Sequence, residues 1–150
     1  MVAGRACTGK STYAKYLAFA WATGLPGWSV RFRSVYVATA DVMMEAWSTR
    51  AGFATAIARA TVFVNSCENV LDQEQHLEAV ADVIEGDLAA PDCCLILDGL
   101  DQVAVSKLRC LFAVVGREPS LLLLCRRYYV AELADSWYNV QYNLGPLQVG

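Results

Sequence analysis

Nine residues near the amino terminus have the types and the spacing of a phosphate-binding loop. They match the pattern G-x-x-x-x-G-K-[ST], in which glycines allow consecutive backbone N–H groups to turn inward around an anion. The lysine would reach the β- and γ-phosphates of a nucleotide, and the hydroxyl after it would coordinate Mg²⁺. The alternative is a glycine-rich turn before a surface helix. The loop consists of Gly4, Arg5, Ala6, Cys7, Thr8, Gly9, Lys10, Ser11 and Thr12.

A carboxylate that could face this loop follows an apolar run. Residues 93–97 are continuously apolar and end at Asp98, which is typical of a buried parallel strand. Ligands of α/β proteins bind at the carboxyl ends of such strands, so we expect Asp98 to hold Mg²⁺ opposite Ser11. Asp101 lies three residues further on. It is a candidate to orient an attacking water, and capping of the next helix is its alternative role.

An arginine and a cysteine complete the set of candidate site residues. Arg126 follows the apolar run 121–125, which predicts a second buried strand, and its charge could stabilise a γ-phosphate at the same edge. A surface arginine at a strand end is the alternative. Cys7 would be a thiol among phosphate-binding amides, where it is either reactive or simply a variable loop position.

The other cysteines do not indicate a metal site. The six cysteines include no C-x-x-C pair, and His76 is the single histidine, which argues against zinc. Cysteines in apolar stretches behave as small hydrophobic residues, and reduced thiols predict a cytoplasmic protein.

The elements that must position these residues alternate between helix and strand. Helices are predicted over 9–23, 53–60, 73–88, 103–115 and 129–136, and a further helix is predicted from a cap at Asp41 to Trp47. Strands are predicted over 34–39, 93–98, 121–125 and 140–144. The aromatic residues of the first helix, Tyr13, Tyr16 and Trp21, are predicted to be core. Residues 61–72 fit either a strand or a continued helix. His76 is predicted on the solvated side of its helix.

The composition limits the class of protein. The chain has 150 residues, 56% of them hydrophobic, with a mean hydropathy of +0.33 and a net charge of −3. This length predicts one domain, and the acidic balance gives no field that favours nucleic acid. No stretch approaches the roughly 20 apolar residues of a membrane span, and the amino terminus does not have the pattern of a signal peptide. The apolar composition fits a parallel sheet covered on both faces, and also a domain cut from a larger protein.

Taken together, these motifs resemble the NACHT group of STAND P-loop ATPases, the nucleotide-binding module of NOD-like receptors. The loop and the following LAFAWATG at 17–24 resemble the Walker A motif and first helix of that family. LILDGLD at 95–101 resembles its Walker B motif, LLLCR at 122–126 its sensor 1 strand, and NLGPL at 143–147 the exit from its last strand.

The resemblance implies a fold and a function. The implied fold is a P-loop NTPase, a three-layer α/β/α sandwich with a mainly parallel five-stranded sheet of the additional-strand type, in the order 5-1-4-3-2. The implied function is an ATP/ADP-binding signalling switch with slow Mg²⁺-dependent hydrolysis, as in receptors of innate immunity and cell death. The chain would be a fragment that lacks the helical and winged-helix domains, and its partners would be further copies or other domains of a larger receptor.

Three positions depart from the family pattern and leave two other functions open. Gln102 stands where the family has Glu, and Cys125 and Arg127 replace the usual Ser and Pro. A small P-loop kinase would use the same loop, but residues 128–150 contain no arginine for a lid. A module that binds nucleotide without hydrolysing it is the other alternative.

Overall fold

A computed structural model describes residues 2–5, 7, 9–26, 30–61, 70–126 and 128–129. The strands are Val2–Gly4 (β1), Ser34–Ala38 (β2), Cys93–Asp98 (β3) and Ser120–Arg126 (β4). The helices are Lys10–Ala22 (α1), Ala40–Met44 (α2), Arg50–Thr61 (α3), Val70–Leu88 (α4) and Val105–Val115 (α5), with a short 3₁₀ helix at Leu100–Gln102. None of the helices in these ranges combines the length and the apolar character that crossing a bilayer requires.

The four described strands form one parallel sheet in the order β1-β4-β3-β2. The prediction of an α/β fold with a parallel sheet is therefore confirmed. The order of these four strands agrees with the predicted order 5-1-4-3-2, and the predicted fifth strand at 140–144 lies outside the described residues. The strands predicted at 34–39, 93–98 and 121–125 are all present; the bounds of the second agree with the prediction, and the ends of the other two differ by no more than one residue.

Alternate residues of each strand face two different cores. In β3, Cys93, Leu95 and Leu97 face the larger core, while Cys94 and Ile96 face the smaller one. Helices α2 to α5 cover the larger core and α1 covers the smaller one, which gives three layers. The apolar run of β3 is explained by this burial on both faces.

Helix α4 presents the face that its sequence predicts. Ala81 and Ile84 are buried, and Leu77 and Val80 pack partly buried against the same core. His76 is exposed, as predicted. The helix begins at Val70. Residues 62–69 belong to the segment that was predicted as either a strand or a continued helix, and they lie outside the described residues.

Helix α1 forms where predicted, but its large aromatic residues do not all pack inward. Tyr13 and Tyr16 are 43% and 51% exposed, so their prediction as core residues is wrong. Ala14 and Ala20 are the buried residues, because small side chains allow the helix to lie close to the sheet. Trp21 is half-buried, and its indole N–H donates to the Phe32 carbonyl at 2.7 Å.

The boundaries of α2 and α3 differ from the prediction. Helix α2 begins at Ala40, so Asp41 lies in the first turn and is not the cap. It ends at Met44, before the buried Trp47. Helix α3 begins three residues earlier than predicted, because the Thr49 hydroxyl accepts the Gly52 N–H at 3.1 Å and caps the helix.

Helix α5 ends as predicted but begins later. It starts at Val105, after the 3₁₀ helix, and ends at Val115; Gly116 follows with a φ of 78° and a ψ of −157°, a backbone conformation that glycine adopts readily and other residues do not. Of the helix predicted over 129–136, only Tyr129 is described; it is buried and its hydroxyl donates to the Val103 carbonyl at 3.1 Å.

Candidate functional site

The candidate residues meet at the carboxyl edge of the sheet. The strands are parallel, so β1, β3 and β4 all end at this edge, where Gly4 lies opposite Arg126 and Asp98 lies opposite Leu124. Adjacent strands are 4.7–4.9 Å apart, so the ends of β1 and β3 are separated by roughly 10 Å across β4. The loop after β1, Asp98 and Arg126 therefore lie at the same edge of the sheet, on three adjacent strands.

Two described residues of the loop between β1 and α1 have an unusual backbone conformation. Gly9 has a φ of 76° and Cys7 a φ of 60°, both in the left-handed region. This conformation costs a residue with a side chain about 1–2 kcal/mol, so its presence at Cys7 is a feature to be explained. Left-handed residues occur in backbone turns whose N–H groups bind anions. Ala6 and Thr8, which complete the predicted loop, lie outside the described residues.

The Lys10 ammonium folds back over the loop. Its Nζ donates to the carbonyl oxygens of Arg5 at 2.7 Å and Gly4 at 3.2 Å. A positive charge is thus held directly above the end of β1. Phosphate oxygens are charged acceptors and bind an ammonium more strongly than neutral carbonyls do.

The amino terminus of α1 adds the partial positive charge of the helix dipole to this ammonium. The helix begins at Lys10, and its cap, Gly9, has no side chain that could accept the N–H groups of the first turn. There is no acidic side chain in that turn, so the partial positive charge of the helix end is not neutralised there. Ser11 and Thr12 lie in the same turn and are exposed.

Asp98 ends β3 with a half-buried side chain. The next residue, Gly99, donates its N–H to the Leu124 carbonyl at 3.2 Å, which extends the contact between β3 and β4 beyond the strand. A carboxylate and the Ser11 hydroxyl are oxygen ligands of the kind that Mg²⁺ takes beside phosphate oxygens and water. Among the described residues, no group of three or more His, Cys, Asp or Glu side chains could hold a metal ion by itself.

Asp101 and Arg126 bind each other. Asp101 Oδ1 accepts the backbone N–H of Arg126 at 3.0 Å, and Asp101 Oδ2 lies 3.2 Å from Arg126 Nε. The expectation that Asp101 caps the next helix is wrong. Asp101 lies inside the 3₁₀ helix that begins after Gly99, and its carboxylate binds Arg126 at the end of β4. The sequence did not predict this pair. The only indication of it was that each residue lies at or just after the end of a predicted strand, and that both strands were expected to end at the same edge of the sheet.

The charges at this edge act on the thiol of Cys125. Burial and the negative charge of Asp101 raise the pKa of this thiol above its ordinary value, while the Lys10 ammonium partly offsets them. The Cys125 thiol therefore lies within the electrostatic reach of both Asp101 and Lys10. Arg127 lies outside the described residues.

Gln102 is exposed next to this site. A methyl group placed on Gly99 would lie 3.1 Å from the amide nitrogen of Gln102, so the amide covers the turn after Asp98. An amide does not take up a proton as a carboxylate does. Gln102 therefore offers hydrogen bonds to the site but no general base.

Comparison of the chain with protein-family models, with curated proteins and with solved structures finds no match.

Proposed function

We propose that this chain binds a nucleoside triphosphate or diphosphate, ATP or ADP, together with Mg²⁺ at the carboxyl edge of its sheet. The observation that carries the proposal is the loop between β1 and α1, where the Lys10 ammonium lies on the carbonyls of Gly4 and Arg5. A phosphate bound there would accept the loop N–H groups and the ammonium, and it would sit at an uncapped helix terminus.

Mg²⁺ fits the side chains beside this loop. The Ser11 hydroxyl and the Asp98 carboxylate are the ligands that we assign to it, with water and phosphate oxygens completing its coordination. When bound, the ion would neutralise charge on the phosphates. Asp98 would hold the metal, and Arg126 would add positive charge at the end of the neighbouring strand.

We further propose that this binding serves a signalling switch of the NACHT type, with slow ATP hydrolysis. In this proposal the chain is the nucleotide-binding core of a larger cytoplasmic receptor, and further domains or copies are its partners. The described cysteines are thiols, as expected for a reducing compartment. The choice of ATP over GTP, and the switch itself, rest on the resemblance to the NACHT group.

A module that binds nucleotide without hydrolysing it is the second candidate, and the Asp101–Arg126 pair favours it. The Asp101 side chain is only 5% exposed and both of its oxygens contact Arg126. A carboxylate in this state has little access to an attacking water. Gln102 supplies no general base in its place. A phosphate-release assay with Mg·ATP separates the candidates, since only the first predicts turnover that Asp101→Asn abolishes.

Titration calorimetry with Mg·ATP and Mg·ADP tests the binding proposal. We expect the wild type to bind both nucleotides and Lys10→Ala to lose at least about tenfold in affinity, because one charge-assisted contact is worth 1.5–3 kcal/mol. Lys15→Ala is the matched control, since Lys15 is an exposed lysine of the same helix and its removal changes the net charge equally. Absence of binding by the folded wild type, or equal binding by Lys10→Ala, would overturn the proposal.

A further inference from the structure

The Asp101 carboxylate is unusually buried for an ion pair. Its side chain is 5% exposed, while the carboxylates of the other ion pairs among the described residues, those of Glu45, Asp87, Asp92 and Glu118, are 15% to 48% exposed. A buried carboxylate needs partners for both oxygens, because an unpaired buried charge is strongly destabilising. Arg126 supplies both partners, one from its backbone and one from its side chain.

The Arg126 side chain extends from this pair into solvent. It is 45% exposed, and it contacts Asp101 through Nε. A guanidinium carries five N–H donors in a rigid fork, so the Nη atoms at its tip keep donors for an anion while Nε remains on the carboxylate. The pair therefore holds the guanidinium in place and leaves its Nη donors available to an anion.

The register of the sheet places Arg126 beside the loop. Arg126 lies opposite Gly4, the first residue of the phosphate-binding loop, and on the neighbouring strand of the sheet. Lys10 Nζ donates to the Gly4 carbonyl, so an anion held by the loop and Lys10 would lie near the end of β4, where Arg126 lies. The phosphate furthest from the nucleoside is the group that differs between a triphosphate and a diphosphate.

We propose that Asp101 is a positioning residue, which holds Arg126 so that the pair distinguishes a nucleoside triphosphate from a diphosphate. This inference rests on the proposed function. It assigns to Asp101 a role that acts through Arg126 and that requires no contact between Asp101 and water. The opposite possibility is that Asp101 withholds Arg126 from the phosphate, which would make the pair a brake on triphosphate binding.

The two possibilities predict opposite changes in nucleotide preference. Titration calorimetry with Mg·AMP-PNP and Mg·ADP gives the ratio of their dissociation constants for each variant. We expect Arg126→Gln to lower the preference for AMP-PNP about tenfold, the factor that corresponds to one charge-assisted hydrogen bond, and Asp101→Asn to lower it by a similar factor. The double variant should lose no more of the preference for AMP-PNP than either single variant does, because both substitutions disrupt the same Asp101–Arg126 pair.

Arg33→Gln is the matched control. Arg33 is also an ion-paired arginine, on Asp87 at 3.0 Å, but it lies at the opposite edge of the sheet, so the preference should not change. A preference that is unchanged or increased in Asp101→Asn would overturn the inference. If Asp101→Asn fails to fold, Arg126→Gln is sufficient as a test: an unchanged preference for AMP-PNP over ADP in that variant would overturn the inference.

The outcomes also separate this inference from the proposed function. If the folded wild type binds neither nucleotide, both are overturned. If binding depends on Lys10 but the ratio of dissociation constants is insensitive to Arg126, the nucleotide site stands and only the positioning role of Asp101 is wrong.

Discussion

Asp87, near the end of α4, accepts hydrogen bonds from two side chains at the amino-terminal edge of the sheet. The Tyr36 hydroxyl donates to Oδ2 at 2.6 Å and Arg33 Nη2 donates to Oδ1 at 3.0 Å. Burial raises the pKa of Tyr36, and the hydrogen bond to Asp87 and its negative charge raise it further, while Arg33 opposes them. This contact ties β2 to α4 on the side of the sheet away from the candidate site.

The raised pKa of Tyr36 predicts a specific loss of stability in alkali. The folded protein keeps the tyrosine proton to a higher pH than the unfolded chain, whose tyrosine has a pKa near 10. The protonated Tyr36 hydroxyl therefore contributes fully to the stability of the fold below about pH 10, and this contribution is lost as the pH rises above that value. Tyr36→Phe should destabilise the protein by about 1–2 kcal/mol at about pH 8, and this difference should shrink by about pH 11.

Urea unfolding of the wild type and Tyr36→Phe at both pH values measures that difference. Tyr16→Phe is the control, because the Tyr16 side chain is half-exposed and its loss of a hydroxyl should cost little at either pH. A difference between wild type and Tyr36→Phe that stays constant across this range would show that the Tyr36 proton does not contribute to the stability.

At the scale of single elements, the turn after β3 requires a glycine. Gly99 has a φ of 82°, and a Cβ added there would lie 3.3 Å from Ala40 Cβ and 3.1 Å from the Gln102 amide nitrogen. Gly86 lies within α4, where an added Cβ would have no neighbour within 4 Å. The two glycines therefore allow the same substitution to be tested in opposite contexts.

Gly99→Ala should lower the free energy of unfolding by about 1–2 kcal/mol, because the left-handed conformation strains a residue with a Cβ and the methyl is crowded. Gly86→Ala should raise it by about 0.5–1 kcal/mol, since alanine loses less backbone entropy in a helix. Chemical denaturation of the two variants beside the wild type checks both. Equal effects of the two substitutions would contradict this account of the turn.

The elements that the sequence predicts best are those whose signal is local. The strands β3 and β4 are continuous apolar runs, and Gly116 marks the end of α5 by its conformational freedom. On the side of α1 that packs inward, Trp21 contacts the core as predicted, but Tyr13 and Tyr16 are exposed while Ala14 and Ala20 are buried. Close approach of the helix to the sheet decides that side, and it is a property of tertiary packing.

The candidate site divides in the same way. The loop and Asp98 are recognisable because a motif of fixed spacing carries their chemistry. The contact between Asp101 and Arg126 joins residues 25 positions apart, and it depends on where β3 and β4 end relative to each other. No local pattern contains that register, so the sequence could place both residues at one edge but could not pair them.

At the scale of the whole molecule, the described residues cover the two faces of the sheet unequally. The larger core contains buried side chains from α2, α3, α4 and α5. In the described part of the chain only α1 lies on the smaller core, to which it contributes one buried residue, Ala14, and the partly buried Leu17 and Trp21. The outer side of α1 leaves Tyr13, Tyr16 and Phe19 exposed, the last at 64%. The helix that begins the candidate nucleotide site is therefore held by little buried apolar surface.

This asymmetry predicts that α1 opens more easily than a helix of equal length on the other face. Helix α3 is the internal control, since it has 12 residues, five of them buried, while α1 has 13 residues with two buried. Local opening exposes the apolar area that a helix buries, and its free energy falls when that area is small. Hydrogen exchange followed by mass spectrometry, without nucleotide, should show amides of α1 exchanging at least about tenfold faster than those of α3 and β3. Equal protection of α1 and α3 would mean that other contacts stabilise α1, and the unequal coverage of the sheet would then not govern its opening.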